Sequence, residues 1–416
     1  MALKTFPNGL RLSVIEKENS KLTTVVVHIA GGTQSEKNYE AGISQFTSDM
    51  LLMGTINHPN YKELINFAKS KGVLISTDNT SESIVLSATT TNNVEDAIKI
   101  LYEMTFDSLF NDKGGELIRT SLMSDIYKLN ENSSYVLDRM INQALYYRTG
   151  LANPKFGTHT TVDRMTAQDS KEFLQRILTP KNTVISVVGN VNADEISDKI
   201  AETFYARFAQ SDDYKKLKYV SAVEDFVGGE RTKNKKLNQS RFCFAFPSVS
   251  YKSSKKYLME IVAPVIQRRI KDRFARTSYF HTQNISVTNY ANNGKFVIEC
   301  FVDYDHVVKY MDTLVEILKG IVASGISDDE FENEKNAFII NFLKKTENVE
   351  ELAVLGAKEV AINKQSYNQA SELMKIDLYN VNDANSLIAS VVDFSKLYIT
   401  YLGNPANISA SRYIEA

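Results

Sequence analysis

Gln45, Ser48 and Asp49 stand at i, i+3 and i+4 within the stretch Gly42–Gly54, GISQFTSDMLLMG. That spacing puts an amide, a hydroxyl and a carboxylate on one face of a helix. Polar groups converging from the edge of an apolar helix face a cavity, a partner or a partly solvated stripe. Catalytic chemistry beyond hydrogen bonding needs more. A zinc peptidase needs about three protein ligands of the His/Glu class and a base for the bound water. The chain has five histidines, His28, His58, His159, His281 and His306. No two are close enough in sequence to share a helix face. His28 lies in an apolar strand and reads as a core histidine, whereas His58 and His159 lie in loops and read as exposed polar groups. There is no G-x-S-x-G elbow, Walker loop or G-x-G-x-x-G.

The elements that must position these residues follow from periodicity. Ile43, Phe46, Met50 and Met53 recur at helical spacing, so the polar triplet rides on a buried, turn-rich helix. Leu10–Glu16 and Leu22–Ala30 read as strands, as do Val73–Ser76 and Ser83–Ala88, with Asp78-Asn79-Thr80 in the turn between the latter pair. Tyr61–Ser70, Val94–Phe106 and Gly115–Asn130 read as helices. A further helix opens at Met165–Asp169, and Thr183–Val188 is a strand stopped by Gly189-Asn190.

The chain also repeats itself. Val184–Asn190 (VISVVGN) matches Tyr398–Asn404 (YITYLGN), and Thr166–Asp169 matches Asn380–Asp383 in the same register. Lys21-Leu22 matches Lys236-Leu237, and the helix carrying Asp125 falls on Phe331–Lys345. The expected organisation is two homologous α+β domains, residues 1–211 and 237–416. Each has a mixed or antiparallel sheet with helices packed on one face. Between them residues 212–236, polar and charged with Gly228-Gly229 and the basic cluster Lys233–Lys236, read as a linker.

The stretch GISQFTSDM resembles the helix of the insulinase and mitochondrial-processing-peptidase family, G-h-[AS]-H-F-h-E-H-[ML]. That helix carries the inverted zinc signature H-x-x-E-H. The fragments Asn8–Leu12, Gly54-Thr55 and Asn153–Thr158 are also similar to that family. The resemblance places Gln45 and Asp49 where the family has its histidine ligands and Ser48 where it has its catalytic Glu. Asp125 falls where the family has its third ligand. One amide and two short carboxylates are oxygen donors suited to a hard cation, and they are too few for a tight site. In active pairs of the family, the subunit lacking zinc supplies an Arg and a Tyr to the substrate. Arg273 aligns with that Arg; the Tyr position falls on Phe280, with Tyr279 one place early. Ile261–Val265 stands where the α-type processing subunit has a Gly-rich loop.

The resemblance implies a catalytically inactive subunit with no cofactor of its own. Zinc is expected only in an active relative that pairs with it as a heterodimer around a peptide-binding chamber; a homodimer is the other arrangement. Two alternatives stay open: a purely structural subunit resembling the core proteins of the respiratory bc1 complex, and an unorthodox active metallopeptidase. Composition narrows the rest. The chain of 416 residues is 43% hydrophobic and 24% charged with a net charge of -2. This is the balance of a globular protein without an electrostatic drive toward nucleic acid. No apolar run is long enough to insert in a membrane. Two cysteines, Cys243 and Cys300, and an N-terminus without a presequence pattern point to the cytoplasm, or to an organellar matrix if the chain is a trimmed form.

Overall fold

A computed structural model describes residues 2–208, 216–221, 226–278, 281–404 and 411–414. In the first half of the chain the strands are β1 (Ala2–Thr5), β2 (Arg11–Glu16), β3 (Thr23–Ala30), β4 (Val73–Asn79), β5 (Ser83–Thr90) and β6 (Thr183–Gly189). Its helices are α1 (Ile43–Met50), α2 (Tyr61–Ser70), α3 (Val94–Phe106), α4 (Asp112–Glu131), α5 (Ser133–Leu145), α6 (His159–Val162), α7 (Ala167–Ile177) and α8 (Ala193–Ile200). The second half contributes β7 (Gly229–Asn234), β8 (Ser240–Ser248), β9 (His281–Asn289), β10 (Gly294–Val302) and β11 (Tyr398–Gly403). Its helices are α9 (Leu258–Phe274), α10 (Val307–Ser324), α11 (Asp328–Glu347), α12 (Val349–Asn363), α13 (Gln369–Asp377), α14 (Val381–Val391) and α15 (Ser411–Ile414).

Among the described residues the first half forms a six-stranded sheet, β1-β2-β6-β3-β5-β4, and the second a five-stranded sheet, β7-β11-β8-β10-β9. The two orders are the same once β1 is set aside. In each, only the pair β2/β6 or β7/β11 is parallel. The repeat therefore extends to topology, and the chain is α+β with two mixed sheets. The caps repeat too. Thr166 caps α7 by accepting from Asp169 N at 3.1 Å, and Asn380 caps α14 by accepting from Asp383 N at 3.0 Å. This is the side-chain acceptor that a helix N-terminus requires.

The compact units are not the two contiguous halves. One comprises Met1–Lys128, Thr149–Tyr219 and Lys344–Asn368; the other comprises Leu129–Arg148, Val220–Leu343 and Gln369–Ala416. Each half thus lends one helix to the other half's sheet: α12 lies on β3 and β6, and α5 on β11 and β8.

In the first unit all eight residues of β3 are buried, because both faces of the sheet are covered. Leu12, Val14, Val25, Val27, Ile29, Ile185 and Val187 face the main core with Phe46, Leu101, Met104 and Phe173. The opposite face, with Ser13, Ile15 and Ser186, carries helix α12 at Gly356, where an added Cβ would stand 3.1 Å from Ser186 Oγ. Arg11 ties α12 down by donating to Val360 O at 2.7 Å, with a second bond to Lys181 O at 2.9 Å. In the second unit Lys295 pairs with Asp138 of α5 and donates to Asn142 Oδ1 at 2.7 Å. Lys295 is buried, so its charge requires such partners.

Local differences from the sequence reading have local causes. Asp78 and Asn79 belong to β4. The turn is Thr80–Glu82, closed by Thr80 Oγ1 accepting from Glu82 N and Ser83 N at 3.1 and 2.9 Å. Gly229–Asn234, at the end of the segment read as a linker, is a strand because it completes the sheet beside β11; residues 212–215 and 222–225 lie outside the described residues. Among the described residues no helix is long and apolar enough to cross a membrane.

Candidate functional site

The site begins with how α1 is held. Gly42, its N-cap, has φ +96°, and a Cβ there would meet Gly157 Cα at 2.7 Å, so the position needs glycine. Two of the free N–H groups at its start are taken by the buried carboxylate of Glu36. It accepts from Gly42 N at 3.1 Å, Ser44 N at 3.0 Å, Ser44 Oγ at 2.6 Å and Asn153 Nδ2 at 3.3 Å. Burial pushes the Glu36 carboxyl up to about 8, against these four donors. Asn79, at the end of β4, lies 3.0 Å from Ser44 Oγ and, with its amide oxygen toward α1, accepts from Gln45 N at 3.2 Å. Phe46 and Met50 are buried in the core, and Thr47 bonds to Ser170 of α7, which fixes the rotation of the helix.

With α1 so oriented, Gln45 Nε2 donates to Asp49 Oδ1 at 2.9 Å. Gln45 Oε1 and Ser48 Oγ are buried and have no hydrogen-bond partner. The Asp49 carboxyl is raised to about 6, chiefly by burial and in part by the Asp125 charge, while Gln45 and Lys155 pull it down. The structure therefore brings Asp125, on α4, within electrostatic reach of Asp49. Asp125 itself is partly exposed and pairs with Lys128 at 3.5 Å. Lys155 pairs with Asp78 of β4 at 3.3 Å.

These residues do not fit a catalytic zinc. They offer an amide, a hydroxyl and short carboxylates, without imidazole or thiolate, and Ser48 cannot act as a carboxylate base. Among the described residues no three His, Cys, Asp or Glu side chains are grouped to hold a metal ion. The histidines are dispersed. His28 is buried in β3, and His159 is exposed at the start of α6. His58, read from sequence as an exposed loop residue, instead stacks on Phe67 at 4.0 Å, because α2 folds back beside its loop.

Arg273 lies exposed in the last turn of α9. Its neighbours Arg268 and Arg269 are engaged by Glu334 and Glu330 of α11. Tyr279 and Phe280 lie outside the described residues. Ile261–Val265 is helical, with Pro264 inside α9.

The sequence reading did not single out Glu36, Asp78, Asn79 or Lys155 as site residues. Only the fragment Asn153–Thr158 pointed there, since it delivers both Asn153 and Lys155 to α1. Nor did it identify β4 as the strand beside the site. Among the described residues β4 is an edge strand paired only with β5, and Leu74 on it is 65% exposed.

Residues 12–159 match the family model described as Insulinase (Peptidase family M16), and residues 164–338 match that of the Peptidase M16 inactive domain. The chain is 21% identical over 266 residues to mitochondrial-processing peptidase subunit beta of Dictyostelium discoideum, covering 64% of this chain and 56% of that protein. It is 24% identical over 197 residues to the non-peptidase homolog YmxG of Helicobacter pylori, covering 45% of this chain and 44% of that one. Each of these matches spans about half of the relative's length. Its fold is similar to a chain in a solved structure of complex III2 from Candida albicans, with TM-score 0.82 at 18% identity, over 100% of this chain and 99% of that one. Two family models that together run from β2 into α11, on a sheet order that occurs twice, show that the chain belongs to the insulinase family, as a member whose α1 lacks the H-x-x-E-H motif.

Proposed function

We propose that the chain is a non-catalytic subunit that pairs with a zinc-bearing relative and contributes surface for binding peptide substrate. The observation that carries this is the contrast at α1. The Glu36 anchor, the Gly42–Gly157 contact and the core face of Phe46 and Met50 are intact, while the face that the family uses for metal presents Gln45, Ser48 and Asp49. A helix held this tightly retains a surface after its metal chemistry is gone. The free edge of β4 beside α1 is the place for an extended peptide, bound through main-chain hydrogen bonds. In the second unit, considered by itself, Arg273 offers an exposed guanidinium to a peptide carbonyl or carboxylate. The proposal keeps the cytoplasm as the compartment, where the buried thiols of Cys243 and Cys300 stay reduced.

The test is reconstitution with a zinc-bearing homologue from the same cell, assaying cleavage of an unfolded peptide by each subunit alone and by both. The expected result is no cleavage by this chain alone and faster cleavage by the pair than by the homologue alone. Equal cleavage by the homologue with and without this chain overturns the proposal and leaves a purely structural subunit as the better reading.

A further inference from the structure

Helices α5 and α12 are one element of the repeat. Asn132 caps α5 by accepting from Tyr135 N at 3.1 Å, and Asn348 caps α12 by accepting from Glu350 N and Glu351 N at 2.9 and 3.2 Å. Counted from these caps, Leu137, Met140 and Ile141 of α5 correspond to Ala353, Gly356 and Ala357 of α12, and all six are buried. One frame thus carries large residues and the other small ones. On the first sheet Gly356 has no room for more, since a Cβ there would stand 3.1 Å from Ser186 Oγ and 3.4 Å from Ile15 Cδ1. The polar groups beneath the helices differ as well. Ser186 and Thr400 are the same position of the repeat. From Ser186 the ladder runs through Val26 to Ser87. From Thr400 it runs through Cys243 to Glu299, so the second sheet has a glutamate where the first has a serine. The second residue after each cap is inverted to match. Glu350 of α12 accepts from Ser87 Oγ at 3.0 Å. In α5 that residue is Ser134; burial raises the Glu299 carboxyl, and a hydrogen bond from Ser134 lowers it. Further along, α5 gives the buried Lys295 its partners Asp138 and Asn142, where α12 has Val354 and Lys358.

We propose that these contacts are a sorting device: they keep α5 off the first sheet and α12 off the second, so that neither half of the chain can close on its own helix. The need for it follows from the repeat. Two sheets of the same strand order offer each helix two similar faces. In the chain, β6 follows α5 well before β8 does, so the wrong sheet is the nearer one for α5. On the first sheet α5 would force Met140 into the space where Gly356 has no Cβ, an overpacked contact. On the second sheet α12 would set Glu350 against Glu299 and Lys358 against Lys295. It would also leave voids where Leu137 and Ile141 stand, because Ala353 and Ala357 are too small to fill them. Size rejects one wrong pairing, and like charge with poor filling rejects the other.

Two experiments on the full chain test it. In the first, one variant carries the sequence of residues 349–361 in place of 133–145, and a second carries 133–145 in place of 349–361. Amide hydrogen exchange is then read in both sheets. The first variant is expected to lose protection in β8, β10 and β11 and to keep it in β3 and β6; the second is expected to do the reverse. Full protection in the sheet that received the foreign helix, or loss in both sheets, overturns the proposal. The second experiment is a double-mutant cycle read as thermal midpoints, which needs no helix to be replaced. Asn142→Lys gives α5 the residue of α12 and is expected to lower the midpoint by several degrees. With Lys295→Met also present the same change is expected to lower it by less than half as much. No loss in the parent, or equal losses in the two backgrounds, overturns the proposal.

Discussion

His28 and Glu36 are both fully buried and titrate in opposite senses, so they give the stability of this protein a defined pH profile. Burial, with the Arg11 and Lys358 charges adding to it, lowers the His28 imidazole to about 4, and its Nδ1 has no hydrogen-bond partner. Between about 6.5 and 4 the unfolded chain takes up a proton that the folded protein refuses, so stability is lost as pH falls through that window. The size of the effect is on the order of 3 kcal/mol for a shift of this extent. Glu36 acts the other way. Its folded carboxyl is raised to about 8, so its contribution is present below about 4.5 and is lost as pH rises toward 8. Denaturation midpoints measured across this range should show a flatter acid limb in His28→Gln and a flatter neutral-to-alkaline limb in Glu36→Gln. The second variant should also be less stable by about 1–3 kcal/mol throughout, because an amide NH2 then faces the N–H donors of Gly42 and Ser44. His28 was legible as a core residue from its apolar strand. Glu36 was not, because a carboxylate in a Gly-, Ser- and Asn-rich loop is normally solvated, and only the fold turns three donors from the start of α1 and a fourth from Asn153 toward it.

Helices α1 and α12 show how far an element depends on what it touches. An eight-residue helix has too few internal hydrogen bonds to persist alone, so α1 exists because Glu36 satisfies its first turn and Phe46 and Met50 are buried. Helix α12 approaches its sheet through Ala353, Gly356 and Ala357, small residues whose size matters only against β2 and β6. Gly356→Leu should push α12 away from Ser13 and Ser186 and lower stability by about 1–3 kcal/mol in chemical denaturation, the usual cost of overpacking. A cost below a few tenths of a kcal/mol would mean that the helix does not sit on that face.

At the scale of the whole molecule, the exchange of α5 and α12 makes each compact unit a product of both halves of the chain. The ties are specific: Arg11 to Val360 O, Lys17 to Glu347 at 2.9 Å and Ser87 to Glu350 at 3.0 Å hold the first unit. The Lys295 pair with Asp138, the bond from Arg231 to Gln143 at 2.6 Å and that from Lys235 to Asn130 O at 3.0 Å hold the second. Fragments 1–221 and 226–416, produced separately, should each lack a cooperative unfolding transition, since each leaves one buried sheet face bare. Mixed, they should recover that transition. Two fragments that each unfold cooperatively alone would show that the borrowed helices are dispensable.

What the sequence by itself determined is what depends on near neighbours along the chain. Helical and alternating periodicities marked Tyr61–Ser70 and Val94–Phe106 at the boundaries the structure shows. Side-chain spacing put Gln45, Ser48 and Asp49 on one helix face, and the resemblance of GISQFTSDM to the family's helix set them against H-x-x-E-H. The repeat of strand and cap motifs announced two similar sheets, because each copy must meet the same local rules of pleat and cap. Tertiary structure alone decided which half covers which sheet face, that β4 is a free edge beside α1, and that Lys155 reaches Asp78 and acts on Asp49. Those outcomes rest on groups far apart in sequence. Their energies arise only once burial removes water from the carboxylates of Glu36 and Asp49 and the folded backbone sets donors and charges around them.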